Sequence, residues 1–224
     1  MRLRKILAAV EADASDASAL CAATRLATAA LARLAVPGAS PGGVPALEIA
    51  RAAEREGADM IVLPRDPRDT LEGTVRRARV PCLVVPPGGA GFGTILAAID
   101  GGPDSADVSD AATTIGELLG GKVITVRVER RSPFHLASLG SAAEPHGRRR
   151  ATGGTGTATL VSAEPVIVRE GDPVAEILNV VRDVGIELLV FGHHRGGPSN
   201  GQETGSVAAR LLARAPCAVL TVPI

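Results

Sequence analysis

Tryptophan and tyrosine are absent from the 224 residues, and phenylalanine occurs three times. A core must therefore come from valine, isoleucine, leucine and alanine, which suits close packing of helices on a sheet. The same shortage argues against a nucleic-acid surface that works by stacking bases on aromatic rings. Net charge is lacking too: 24 Lys and Arg balance 24 Asp and Glu. No overall field draws DNA, RNA or an anionic membrane, so neither partner is expected. No apolar run approaches the ~18 residues of a membrane span. The opening "MRLRKILAAVE" begins like a secretory leader, but its apolar run stops at Glu11, short of an h-region. The three cysteines, Cys21, Cys82 and Cys217, form no CxxC pair and no disulfide framework, which fits a reducing, cytoplasmic setting. What remains is 46% hydrophobic, enough for one large core or two small ones.

The chain is written twice. "KILAAVE" (Lys5 to Glu11) recurs as "TILAAID" (Thr94 to Asp100), and "AAT" follows each at the same distance. "ADMIVLP" (Ala58 to Pro64) recurs as "IELLVFG" (Ile186 to Gly192), and "VPCLVVP" (Val80 to Pro86) as "APCAVLTVP" (Ala215 to Pro223). Landmarks repeated in the same order indicate an internal duplication. The Pro- and Gly-rich stretch between the copies cannot continue a strand or a helix. The expected division is 1–87, a linker at 88–93, and 94–224.

Each copy alternates short β-branched runs with helical periodicity. In the second, strands are expected at 95–99, 123–128, 165–169, 188–191 and 218–222, and helices at about 105–119, 173–184 and 206–213. Asp172-Pro173 is a start signal, with Asp as N-cap and Pro at the first helical position. Strands apolar on both faces mark a parallel sheet covered on both sides. The fold class is thus α/β, two doubly wound parallel-sheet units. The first is abbreviated: only "LAVPGASPGGV" separates its first helix from the next helical segment, so one strand is missing. The stretch from Arg131 to Ala158 has no periodicity and reads as an excursion.

The chemistry is expected in "FGHHRGGPSNGQETGSVAARLLARAPCAVLTV" (Phe191 to Val222). A strand gives way to a glycine-rich loop, and Gly205-Ser206 opens a helix. Ligands of open parallel sheets sit beyond the carboxyl ends of the strands. A helix N-terminus offers unpaired N–H groups and about half a positive charge, and loop glycines can turn further N–H groups inward. Together these features suit phosphate. A glycine-rich surface loop with Ser206 as an ordinary N-cap is the open alternative. There is no GxxxxGK[ST] for a P-loop, no GxSxG elbow, and Gly91-Phe92-Gly93 precedes a strand instead of following one. His193 and His194 are adjacent and rarely chelate one metal, and no Cys or carboxylate lies at a suitable spacing. No protein metal site is expected.

These residues resemble the universal stress proteins in their tandem form, over nearly the whole chain and most strongly from Thr94 to Ile224. Nucleotide-binding members carry Gly-x2-Gly-x9-Gly-Ser/Thr before a helix and an "APCPVLVV"-like strand. Here the chain reads Gly192-x2-Arg195-x9-Gly205-Ser206, then "APCAVLTV". The resemblance implies an adenine nucleotide alpha hydrolase-like fold and an ATP site, with Mg2+ on the phosphates, or a site for another adenine nucleotide. Asp100 would contact the ribose and adenine side, the backbone of Val128 the adenine, and Gly192, Arg195, Gly196, Gly205 and Ser206 the phosphates. Arg195 stands where the family has glycine. An arginine disfavours positive φ; three outcomes stay open: Gly196 takes over that turn, Arg195 contributes a cation to the phosphates, or the site binds poorly.

In the first copy Glu11 stands where Asp100 does and Gly73-Thr74 where Gly205-Ser206 does. Its loop is shorter, however, and Pro64 replaces Gly192, so this copy is expected to be a dead site. Its loop charges Arg65, Asp66, Arg68 and Asp69 read as solvated. The two copies are expected to pack as an internal pseudo-dimer, with further homodimerisation open. The three cysteines read as buried small hydrophobes, and "RRRAT" (Arg148 to Thr152) as a solvated loop. Asp100 is expected to need a partner, since a carboxylate buried at a strand end is costly alone. Three functions stay open: regulation by ATP occupancy with at most slow hydrolysis, a ligand-free interaction module, and an adenine-nucleotide-processing enzyme. For the last, only His193, His194 and Arg195 are candidate groups.

Overall fold

The computed structural model describes residues 1–10, 16–37, 44–65, 70–129, 166–194 and 207–224. Its first half contains β1 (Lys5–Ala8), α1 (Ala17–Ala30), β2 (Arg33–Ala35), α2 (Ala46–Glu56), β3 (Met60–Pro64), α3 (Thr70–Arg77) and β4 (Cys82–Val85). The second half contains β5 (Thr94–Ile99), α4 (Ser105–Leu119), β6 (Lys122–Glu129), β7 (Val166–Glu170), α5 (Pro173–Val184), β8 (Leu188–His193), α6 (Val207–Arg214) and β9 (Ala218–Pro223). Among the described residues the first half thus has four strands against five, as its shortened sequence implies.

All the strands join one sheet in the order β2-β1-β3-β4-β9-β8-β5-β6-β7. Every neighbouring pair is parallel except β4 with β9, which run antiparallel. Across that seam Val84 pairs with Val219. When the two "PC" motifs are aligned, these are the same position of the two copies. The copies therefore meet about an approximate two-fold axis.

The duplication extends to side-chain detail. Asp59 accepts hydrogen bonds from the N–H groups of Arg4 (2.7 Å) and Lys5 (2.9 Å), which fastens the start of β1. Its counterpart Glu187 accepts from Gly93 and Thr94 and fastens the start of β5.

Two apolar layers flank the sheet. One lies under α2, α3, α5 and α6, with Ile49, Val75, Leu178 and Leu211 against Ile61, Val84, Leu189 and Val219. The other lies under α1 and α4, with Leu26 and Ile115 against Ile6, Met60, Ile95 and Val190. Both layers run through both halves. Helix α5 shows how the sequence sets this. Val174, Ile177, Leu178 and Val181 make its buried stripe, Asp172 accepts from the Ala175 N–H at 2.9 Å, and Gly185 ends it at φ +70°.

The linker is not loose. Phe92 is buried in the second layer with the Arg25 guanidinium 5.1 Å from its ring centre, and Arg25 also donates to the Ala90 carbonyl.

Two expectations need correction. β7 is not apolar and covered on both faces: Val166 and Val168 are exposed, because β7 is the outer strand of the sheet. Cys82 and Cys217 are buried, but Cys21 is exposed. It lies off the stripe of α1 formed by Ala19, Ala22, Ala23 and Leu26.

Candidate functional site

The strand order of the second half, β7-β6-β5-β8-β9, changes direction between β5 and β8. From β5 the chain moves outward through α4 to β6, and from β7 it returns through α5 to β8. The crevice beyond the carboxyl ends of β5 and β8 is therefore the switch point where open parallel sheets take ligands. Asp100 lies on one side of it, directly after β5, and His193 and His194 lie on the other, at the end of β8.

Asp100 organises the loop after β5. Its Oδ1 accepts from the Gly102 N–H at 2.7 Å and from the Ser105 hydroxyl at 3.1 Å. Ser105 Oγ in turn accepts from the Gly101 N–H at 3.0 Å. The Gly102 bond chiefly holds the Asp100 carboxyl below the usual range. Partial burial opposes this, and the Ser105 hydroxyl and the neighbouring His194 assist it. The carboxylate is exposed, not buried as its place at a strand end suggested. Its turn already supplies the partners that the sequence left open.

Gly101 has φ +81°, and a Cβ there would lie 3.2 Å from Arg127 Cζ, so the Arg127 guanidinium lies against a position that only glycine fits. Arg127 also pairs with Glu129 at 3.4 Å, both half-exposed. Arg127 is the last β6 residue paired with β5, opposite Ile99. Val128 follows it beside Asp100, half-buried and paired on its other side with Arg169. The structure thus brings Asp100, Val128 and His194 to one end of the sheet. It adds Ser105, the Gly101-Gly102 turn and Arg127, which the sequence reading missed. Two signals could have revealed them: the doubled glycine after Asp100, and an arginine interrupting the apolar run "VITVRV".

Gly192 stands one residue before the end of β8. β8 continues through it to His193, and Gly192 pairs with Val222. A Cβ there would meet Ile224 Cδ1 at 2.8 Å and Val108 Cγ2 at 3.3 Å. Packing against Ile224 and α4 is reason enough for glycine. His193 is buried. Arg195, Gly196, Gly205 and Ser206 lie outside the described residues, as do Glu11, Asp66, Arg68, Asp69 and the segment from Arg131 to Ala158 with its "RRRAT". Among the described residues no group of three metal-ligating side chains is found, and no helix is long and apolar enough to cross a membrane.

In the first half the described counterparts of Gly205, Ser206 and His193 are tied into the fold. Gly73 and Thr74 lie inside α3, not at its start. The Thr74 hydroxyl is buried and donates to the Thr70 carbonyl at 2.7 Å. A Cβ on Gly73 would come 2.9 Å from Ala46 Cβ, where α2 packs on α3. Arg65 is not a solvated loop charge: it is half-buried, and its guanidinium donates to carbonyls of the second half.

Comparison with known proteins agrees with this architecture. The functionally unknown protein PA1789 from Pseudomonas aeruginosa PAO1 superposes with a TM-score of 0.70 at 18% identity, over 99% of this chain and 92% of that one. A universal stress protein from Archaeoglobus fulgidus DSM 4304 superposes with a TM-score of 0.59 at 17% identity, over 88% of this chain and 73% of that one. At these identities the likeness is one of fold. No curated protein sequence matches the chain. Residues 91–223 match the universal stress protein family, and that span is more than half of the chain. With the doubled α/β sheet and the repeated motifs, this places the chain in the universal stress protein family.

Proposed function

We propose that the second half binds an adenine nucleotide, ATP foremost, in the crevice beyond β5 and β8, and that occupancy serves as a regulatory signal in a cytoplasmic stress response. The observation that carries this reading is the pre-formed Asp100 turn at the switch point, with Val128 beside it and His194 across from it. In this reading the exposed Asp100 carboxylate accepts ribose hydroxyls and the Val128 backbone meets the adenine. Gly192, Arg195, Gly196, Gly205 and Ser206 form the phosphate side, where Mg2+ would be carried by the phosphates. The first half carries no nucleotide, since Gly73 and Thr74 are taken up in helix packing. The domain limits 1–87 and 94–224 belong to the same proposal. Binding shifts a conformational equilibrium only by the ligand's difference in affinity for the two states.

The test is ATP titration of the parent and of Asp100→Ala, with circular dichroism to confirm folding. A carboxylate accepting ribose hydroxyls predicts a loss of about 1.5–3 kcal/mol in Asp100→Ala, as for hydrogen bonds to charged groups. Unchanged ATP affinity in the folded variant would place the ribose elsewhere. One observation favours a second reading, that of a ligand-free interaction module. The Asp100 carboxylate already accepts from its own turn and so has a structural reason to be there. That reading predicts no ATP binding by the parent.

A further inference from the structure

Arg65 follows β3 directly and holds, in the repeat, the place that His193 holds in the second half. Its backbone N–H donates to the Val85 carbonyl at 2.7 Å. Its guanidinium crosses the seam between the halves, where Nη2 donates to the Cys217 carbonyl at 2.8 Å and Nη1 to the Ala215 carbonyl. Those carbonyls belong to the corner that leads α6 into β9. The Ala215 N–H donates to Leu211 at 2.9 Å and closes the last turn of α6. The corner carbonyls lie at the negative end of that helix, where a cation is favoured. Burial pulls the Arg65 pKa down, and the neighbouring Cys217 partly offsets this. A guanidinium withdrawn from water loses more than it gains unless its bonds are kept, so the corner and the arginine hold each other in place.

Helix α6 is a short element, and Val207 and Ala208 pack on the core at its start. Its described span, Val207–Arg214, buries Leu211 and Leu212, and a helix of about two turns is not stable alone. Arg210 on its surface pairs with Asp172 at 3.3 Å in an exposed pair, worth at most about 1 kcal/mol.

We propose that Arg65 is a positioning residue for the second half: it sets α6 through the α6–β9 corner from across the seam. The first half, which binds no nucleotide itself, is thereby a working part of the second half's site. The last step rests on the nucleotide reading above, because α6 is the helix that follows Gly205-Ser206.

The test compares the full-length parent, Arg65→Ala and Arg65→Lys by amide hydrogen exchange without nucleotide and by ATP titration. Arg65→Ala is expected to speed exchange in α6 at least about tenfold while β5 and β8 keep their protection, the pattern of a local opening. ATP affinity is expected to fall about 3- to 10-fold. Arg65→Lys, with a single ammonium in place of the two-pronged donor, should recover part of both. Unchanged exchange in α6 overturns the proposal. So does an equal acceleration over all strands, which would mean a general loss of stability. Local opening of α6 with unchanged ATP affinity overturns the link to the site. A parent that binds no ATP overturns the nucleotide reading, and the exchange data alone then decide whether Arg65 holds α6.

Discussion

Cysteine chemistry shows how position on an element outweighs residue type. Burial pushes the Cys82 thiol up to about 12 and raises that of Cys217 as well, whereas Cys21 is exposed on α1. A thiol reagent at pH 8 should therefore titrate one thiol per native chain and three in denaturant; three reacting at one rate in the native protein would contradict the burial of β4 and β9. The raised Cys82 value also has a sign. Its neutral form is favoured by folding, so that contribution is complete below the unfolded thiol's pKa of about 8.5. It declines as pH rises from there toward 12. Asp100 has the opposite sign: its lowered pKa favours the folded state at neutral pH, and that contribution is lost as pH falls through the depressed value. Both cysteines of the "PC" repeats were legible as core residues, because each opens an apolar strand. Cys21 was not, because alanine-rich α1 disguises which of its faces is buried. Arg65 was misread for a related reason: in the sequence it belongs to a charged loop, and only the seam brings the carbonyls of Ala215 and Cys217 to it.

At the level of elements the second half was readable almost residue by residue. Capping signals coincide with apolar periodicity there: α5 begins at Pro173 after Asp172 and ends at Gly185. Less legible was what the glycines do. Gly192, read as the start of a phosphate loop, also packs against Ile224 near the end of β8. Gly73 looked like a helix start and turns out to be a contact between α2 and α3. Packing across the fold set these residues, and no local pattern records it. Gly121, between α4 and β6, is the sharpest instance. A Cβ there would fall 2.0 Å from the Phe92 carbonyl oxygen, a backbone atom of the packed linker that cannot swing aside. Gly121→Ala should destabilise the protein by roughly 1–3 kcal/mol, as overpacking does. Thermal or urea unfolding would show it, and a parent-like midpoint would mean that the linker yields freely.

For the whole molecule, the two copies share one sheet but differ at the carboxyl ends of their strands. In the second half those ends carry the Asp100 turn, Val128 and His194. In the first, Thr74 is bonded inside α3 and Arg65 is committed to the other half's corner. The inequality was partly written in the sequence, through the shorter loop and Pro64. The commitment of Arg65 was not, because it depends on the antiparallel junction of β4 and β9. The measurement that tests the account most directly is the stoichiometry of ATP binding by isothermal titration calorimetry on the full-length protein, with Asp100→Ala alongside. The account predicts one ATP per chain, with affinity reduced in the folded variant. Two equivalent sites per chain, or none, would contradict it.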